Sequence, residues 1–224
     1  FKLFDDKKLN IFRKLLLNVN YTEFVDNHIN NDFDLGSYTR ISLNYKSRHI
    51  FFLNSYSYPV CENWLDMIIK NYTENSILAT SASNQSLLSS IKIKKFYKFI
   101  SYFKKLYEYK NLFYPFPNPH IRTTGFLIKG SDFFEFMKNK SIKSKIDTWK
   151  IESGKDSLTN HFKRLNFSIY VINSDGNKFE EKDWKFSETY NYLGKSKSII
   201  SDKHIRKYDE LDKNDRLISR RKVW

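Results

Sequence analysis

The chain has 224 residues, 40% hydrophobic and 17% aromatic, enough for one large α/β domain or two small ones, which excludes disorder for most of the chain. Its formal charge is +14, a balance that favours anionic partners, but 30 Lys stand against 9 Arg and Lys serves poorly in bidentate recognition of phosphates and bases, so nucleic acid is disfavoured. The single cysteine, Cys61, excludes an internal disulfide framework and a Cys-based zinc site, and the sequence holds no apolar run of about 18 residues for a transmembrane helix.

From the N-terminus, Asp5 to Val19 places Leu9, Phe12, Leu16 and Val19 at helical spacing behind two acids, which predicts a helix. Tyr21 to Val25 fits a short strand. Leu35 to Tyr45 is expected as a helix entered at Asp34-Leu35-Gly36, in a turn that begins at Asp32. Backbone N–H groups there can approach a phosphate, or the turn is an Asx turn with a cap. His49 to Leu53 is a continuous apolar run between polar residues, the pattern of a strand buried on both faces. A loop from Asn54 to Pro59, an amphipathic helix from Glu62 to Asn71 and a strand from Ser76 to Thr80 complete a βαβ unit.

Leu87 to Tyr109 reads as one long helix. Ile93, Phe96, Ile100, Phe103 and Tyr107 trace a stripe beside Lys92, Lys95, Lys98 and Lys105, which faces either the core or an anionic membrane surface. Tyr114 to Pro119 is an extended, proline-rich connection. A strand is expected over Ile121 to Ile128, a helix capped by Ser131 through Met137, a helix over Asp156 to Leu165 and a strand over Phe167 to Ile172. Residues 201–224 are expected as a charged tail or peripheral helix, beyond a single domain over residues 1–200. The alternation gives an α/β fold with a largely parallel sheet, whose ligands bind beyond the C-terminal ends of the strands. The loops after Leu53, Thr80 and Ile128 are therefore expected on the functional face.

Four segments can carry chemistry. The strand opening His120-Ile121-Arg122-Thr123-Thr124 is unusually polar. Arg122 can clamp a phosphate and His120 can donate to one, or both are solvated strand-end residues. In Trp149 to Thr159, Glu152 and Asp156 lie four apart at a Gly-containing loop that leads into a helix. Either acid can serve as a general base toward a hydroxyl; alternatively Asp156 or Ser157 caps the helix and Glu152 is solvated. Asp34 sits in a turn at a helix start. Asn54-Ser55-Tyr56-Ser57 ends a buried strand with hydroxyl and amide groups, which can contact a ribose or sugar but bind a divalent cation poorly.

These segments resemble, in order, parts of the family 2 glycosyltransferases. Phe51 to Ser57 followed by Glu62-Asn63-Trp64-Leu65 looks like that family's central strand and next helix, with Asn54-Ser55-Tyr56 where an Asp-x-Asp-like motif usually stands. Thr124-Gly125-Phe126-Leu127-Ile128 looks like its Gly-apolar-apolar strand, and Trp149 to Val171 is similar to its Glu-Asp region, helix and closing strand. Asp34-Leu35-Gly36-Ser37-Tyr38, with the Pro-His-Ile-Arg-Thr and Glu-Ser-Gly-Lys runs, resembles a bacterial polysaccharide-type subgroup. The resemblance spans roughly Asn30 to Ile172. It implies a GT-A-like three-layer α/β/α fold, with the first nucleotide-binding strand missing before Phe1. It also implies transfer of a sugar from a nucleoside diphosphate sugar to a glycan hydroxyl.

In that reading Glu152 is the base, with Asp156 as substitute. Asp34, Asn54, Ser55 and Arg122 bind the donor, and His120 and Thr123 the acceptor. Mg²⁺ or Mn²⁺ is the usual cofactor of such sites, but without Asp-x-Asp acids no metal ligand can be named. The expected partners are a nucleotide-sugar donor, a glycan acceptor and the inner face of a membrane, with a cytoplasmic location. The alternative is a non-catalytic binding domain: a decayed transferase, or a basic adaptor for nucleic acid or a membrane surface.

Overall fold

The structure, a computed structural model, describes residues 6–26, 28, 31–91, 99–189, 194–212 and 214–215. In chain order the elements are α1 (Asp6–Leu15), α2 (Phe33–Asn44), β1 (His49–Leu53), β2 (Tyr58–Pro59), α3 (Trp64–Asn71), β3 (Ser76–Ala79), β4 (Ala82–Ser83), α4 (Leu87–Ile91) and α5 (Phe99–Leu112). There follow β5 (His120–Ile121), β6 (Gly125–Lys129), α6 (Gly130–Met137), α7 (Lys145–Ser153), α8 (Leu158–Arg164), β7 (Ser168–Ile172), β8 (Lys178–Phe179), a 3₁₀ segment (Glu181–Phe186), β9 (Ile200–Ser201) and α9 (Lys203–Asp209).

The apolar runs HIFFL, SILA and SIYVI become β1, β3 and β7 as their composition dictates. The main sheet has five strands in the order β1-β6-β3-β7-β8. Only β3 and β7 pair in parallel; β1–β6, β3–β6 and β7–β8 are antiparallel. The α/β class stands, but the expected largely parallel sheet is corrected to a mixed one. The reason is β6. Helix α3 carries the chain from β1 to β3 and leaves a gap one strand wide. β6 is apolar on both sides, with Phe126 and Ile128 on one and Leu127 on the other, and it fills that gap.

This insertion decides where the site lies. β1, β3 and β7 run in one direction, and the start of β6 meets their C-terminal ends: Leu53 pairs with Gly125 and Ala79 with Phe126. The loops after Leu53 and Ala79 therefore share one edge, as expected. The loop after Ile128 does not, because Lys129 pairs with His49 at the opposite edge. The segment preceding β6 takes its place.

Alternating strand residues feed two apolar clusters, one on each side of the sheet. On one side Phe52, Ile77, Ala79 and Phe126 pack with Leu35 of α2, Phe133 and Phe136 of α6, Ile151 of α7 and Phe162 of α8. On the other, Leu78, Leu127 and Ile172 pack with Ile68 of α3 and with Ile199 and Ile200. Tyr38 of α2 stacks on Phe52 with ring centroids 4.5 Å apart, which fixes the first turn of α2 beside the end of β1.

Other expectations change. Tyr21 to Val25 is not a strand. The strand Ile121 to Ile128 is broken at Arg122–Thr124, where β5 pairs with β4 instead of the main sheet. The long helix over Leu87 to Tyr109 is described as α4 and α5. Lys92, Ile93, Lys95, Phe96 and Lys98 lie outside the described residues, and Phe103 and Tyr107 face solvent rather than the core. The loop expected around Glu152 is the end of helix α7. Residues 200–209 are not merely peripheral: β9 pairs with β2 and Ile205 is buried. Among the described residues no helix is long and apolar enough to cross a membrane.

Candidate functional site

A cleft of about 410 Å³ opens at the edge where β1 and β3 end and β6 begins. Its wall includes Asp34, Asn54, His120, Arg122, Thr123 and Glu152, six of the eight residues singled out from sequence. Phe33, Leu35, Tyr38 and Trp149 supply apolar and aromatic surface, and Ser83, Gln85 and Lys145 further polar groups. A cleft of this size and mixed lining suits a small organic ligand.

Glu152 is placed by α7. Lys145, Thr148, Trp149 and Glu152 recur at helical spacing, so they present one face to the cleft. The helix starts where the Asp147 carboxylate accepts from the backbone N–H and the hydroxyl of Ser144, at 3.0 and 2.8 Å. At its other end, Oε1 of Glu152 accepts from the backbone N–H of Thr123 at 3.0 Å and from the Thr123 hydroxyl at 3.2 Å. Those bonds fix one oxygen and leave Oε2 without a partner among the described residues.

His120 is buried on β5. Its Nδ1 donates to the Asn118 carbonyl at 2.7 Å, and the Asn118 amide donates to the Ser153 carbonyl at 2.7 Å, tying β5 to the end of α7. Burial pushes the His120 pKa down, opposed only in part by the nearby Glu152 charge, so the ring is neutral near neutral pH. With Nδ1 held by the Asn118 carbonyl, Nε2 is the ring nitrogen left for a ligand, and in the neutral form it accepts a hydrogen bond rather than donating one.

Arg122 is also corrected. Its guanidinium lies 2.6 Å from Asp202 Oδ2, and both side chains are buried. Oδ1 of Asp202 accepts from the backbone N–H groups of His204 and Ile205 at 2.7 and 3.0 Å, capping α9. Burial alone would raise the Asp202 pKa, but the Arg122 charge outweighs it and holds the carboxyl below its ordinary value. Arg122 thus brings little net charge to a ligand, and its first task is to anchor the C-terminal segment. That anchor brings His204 to the cleft wall. His204 was not foreseen, and no sequence spacing links it to Arg122.

On the opposite wall, the Asn54 side chain accepts from the backbone N–H of Tyr56 at 3.1 Å and from the Ser57 hydroxyl at 2.6 Å, folding the loop after β1 back on itself. Ser55 lies outside the cleft wall but donates to Asp34 at 3.1 Å, joining that loop to the first turn of α2. Asp156 is not part of the cleft. It is exposed in the α7–α8 turn, pairs with Arg164 at 3.0 Å and borders a separate hollow of about 260 Å³. Ser157 caps α8, accepting from the Asn160 N–H at 3.3 Å. The two acids expected as alternatives thus line different hollows.

The sequence leaves the cofactor open: Mg²⁺ or Mn²⁺ is possible, but the Asp-x-Asp motif is absent. Asp34 is the sole carboxylate on the β1 side of the cleft, and among the described residues no three His, Cys, Asp or Glu side chains converge as a metal site. The donor set does not fit such an ion. No protein-family model, curated protein or solved structure matches the chain.

Proposed function

We propose that the cleft transfers a glycosyl group from a nucleoside diphosphate sugar to a hydroxyl of a glycan, on a GT-A-like α/β scaffold. The observation that carries this reading is the Glu152 carboxylate in the cleft wall, held through one oxygen by Thr123. An acceptor hydroxyl at Oε2 passes its proton to Glu152 as its oxygen attacks the anomeric carbon. The bond from that carbon to the diphosphate breaks, and the nucleoside diphosphate leaves with the electron pair. No step is routed through a metal.

The remaining groups support binding. Trp149 and Tyr38 offer ring surface for a sugar or base, and Asp34 and Asn54 offer acceptors for ribose or sugar hydroxyls. The neutral Nε2 of His120 accepts from an acceptor hydroxyl beside Glu152. A specific observation favours a second reading, a non-catalytic sugar-binding domain: Arg122, the buried cation at the cleft, is already neutralised by Asp202.

Turnover separates the two. Release of nucleoside diphosphate from a panel of uridine and guanosine diphosphate sugars, with oligosaccharide acceptors, is expected from the wild type. Glu152→Gln, which keeps the shape and the bonds to Thr123, is expected to lower the rate about 10²–10⁴-fold. Undiminished turnover in that variant would sink the base assignment. Binding of a donor without any turnover would establish the binding domain instead.

A further inference from the structure

Helix α5 carries a surface that the cleft does not use. Its inner flank is Tyr102, Leu106 and Tyr109, all half-buried, followed by the fully buried Phe113. Its outer face shows Phe103 and Tyr107, 50% and 74% exposed, four residues apart on one side of the helix. Lys104 and Lys110 are exposed beside them, and Glu108 is the only acid in α5. The surface continues past the helix end. Tyr114 is 45% exposed, and the Lys155 ammonium lies 5.7 Å from its ring centroid while donating to the Lys110 carbonyl at 3.0 Å.

The chemistry of this face selects its occupant. Half-exposed rings flanked by Lys suit a bilayer interface, where rings sit at headgroup depth and ammonium groups reach lipid phosphates along their apolar stems. A second copy presenting the same face brings like charges together. Helix α5 has no Arg to read phosphate or base edges in a fork, and Arg164, beside Lys155, is paired with Asp156, which disfavours RNA. We propose that the outer face of α5, extended by Tyr114 and Lys155, docks on an anionic lipid bilayer. The end of α5 is bridged to Gly154 through Phe113, and Leu112 accepts from the Lys155 N–H at 2.9 Å. The inference does not depend on the cleft being a transferase site.

The test is sedimentation of the full chain with vesicles of phosphatidylcholine containing phosphatidylglycerol, and with phosphatidylcholine alone. Binding is expected on the anionic vesicles, at least about tenfold stronger than on neutral ones, and weakened by raised salt. Lys104→Glu with Lys110→Glu is expected to cut it at least about tenfold. Phe103→Ser with Tyr107→Ser is expected to weaken it while leaving its salt dependence in place. Circular dichroism checks that each variant is folded. Equal binding to neutral and anionic vesicles, or folded variants that bind like the wild type, overturns the proposal. So does failure to bind vesicles, and if a mixed-sequence RNA then binds in a manner lost with the two Lys substitutions, nucleic acid is the occupant.

Discussion

Asp202 holds Arg122 with one oxygen and the start of α9 with the other. Asp202→Ala leaves a buried guanidinium without its counter-ion and removes a helix cap, a combined cost of about 3–5 kcal/mol. Urea unfolding is expected to show that loss, with a smaller one in Asp202→Asn, which keeps a cap acceptor. Equal stability of both variants and the wild type would show that the pair is not structural. Glu152 was legible as a candidate base because an acid beside Ser153-Gly154 stood out from a polar surrounding. Its partner was not: Thr123 lies 29 residues away, and no local signal joins them. Arg122 stood out by its polarity in a strand, yet its role depends on Asp202, which sits in a stretch that reads from sequence as a charged tail.

At the scale of elements, α2 is held to the preceding chain by one Arg and two acids. Arg40 donates to Asp26 at 2.8 Å and 2.5 Å and to Asp32 at 2.6 Å. Burial would raise the Asp26 pKa, but the hydrogen bonds from Arg40 and Ser37 outweigh it and hold it at about 2. A carboxylate with a depressed folded pKa stabilises the fold above its unfolded value, near 4, and loses that contribution as pH falls toward 2. The gap in unfolding free energy between wild type and Asp26→Asn, on the order of 1–2 kcal/mol, should be constant above about pH 5 and close toward pH 2. A gap that does not change over that window would show that Asp26 is not ion-paired in solution.

Gly36 belongs to the same device, since a Cβ there would fall 1.9 Å from the Asp32 carboxyl carbon. Gly36→Ala gains about 1 kcal/mol of helix propensity but drives Asp32 off Arg40. Net destabilisation is expected in thermal unfolding, and a raised melting temperature would contradict it. The strands β1, β3 and β7 were legible because short apolar runs between polar residues leave few alternatives. Helix α7 was not: Ile146, Trp149 and Ile151 do not form one stripe, and the Ser144-x-x-Asp147 start signal was the one mark it carried.

For the whole molecule, the α/β class follows from the alternation of strands and helices, while strand order does not. That β6 enters between β1 and β3 depends on a gap created by the α3 crossover, a tertiary fact without a sequence period. The same insertion brings Thr123 and Arg122 to the edge where β1 and β3 end, and the C-terminal segment closes the wall with His204. We propose this edge as a nucleotide-sugar site. Titration of a nucleoside diphosphate sugar into ¹⁵N-labelled protein, followed by NMR, tests it most directly. Shifts are expected to concentrate at Asp34, Asn54, Thr123 and Glu152 and at the Trp149 indole N–H, and to be preserved in Glu152→Gln. Shifts centred on the hollow around Lys140 and Asp156, or none with any donor, would contradict it.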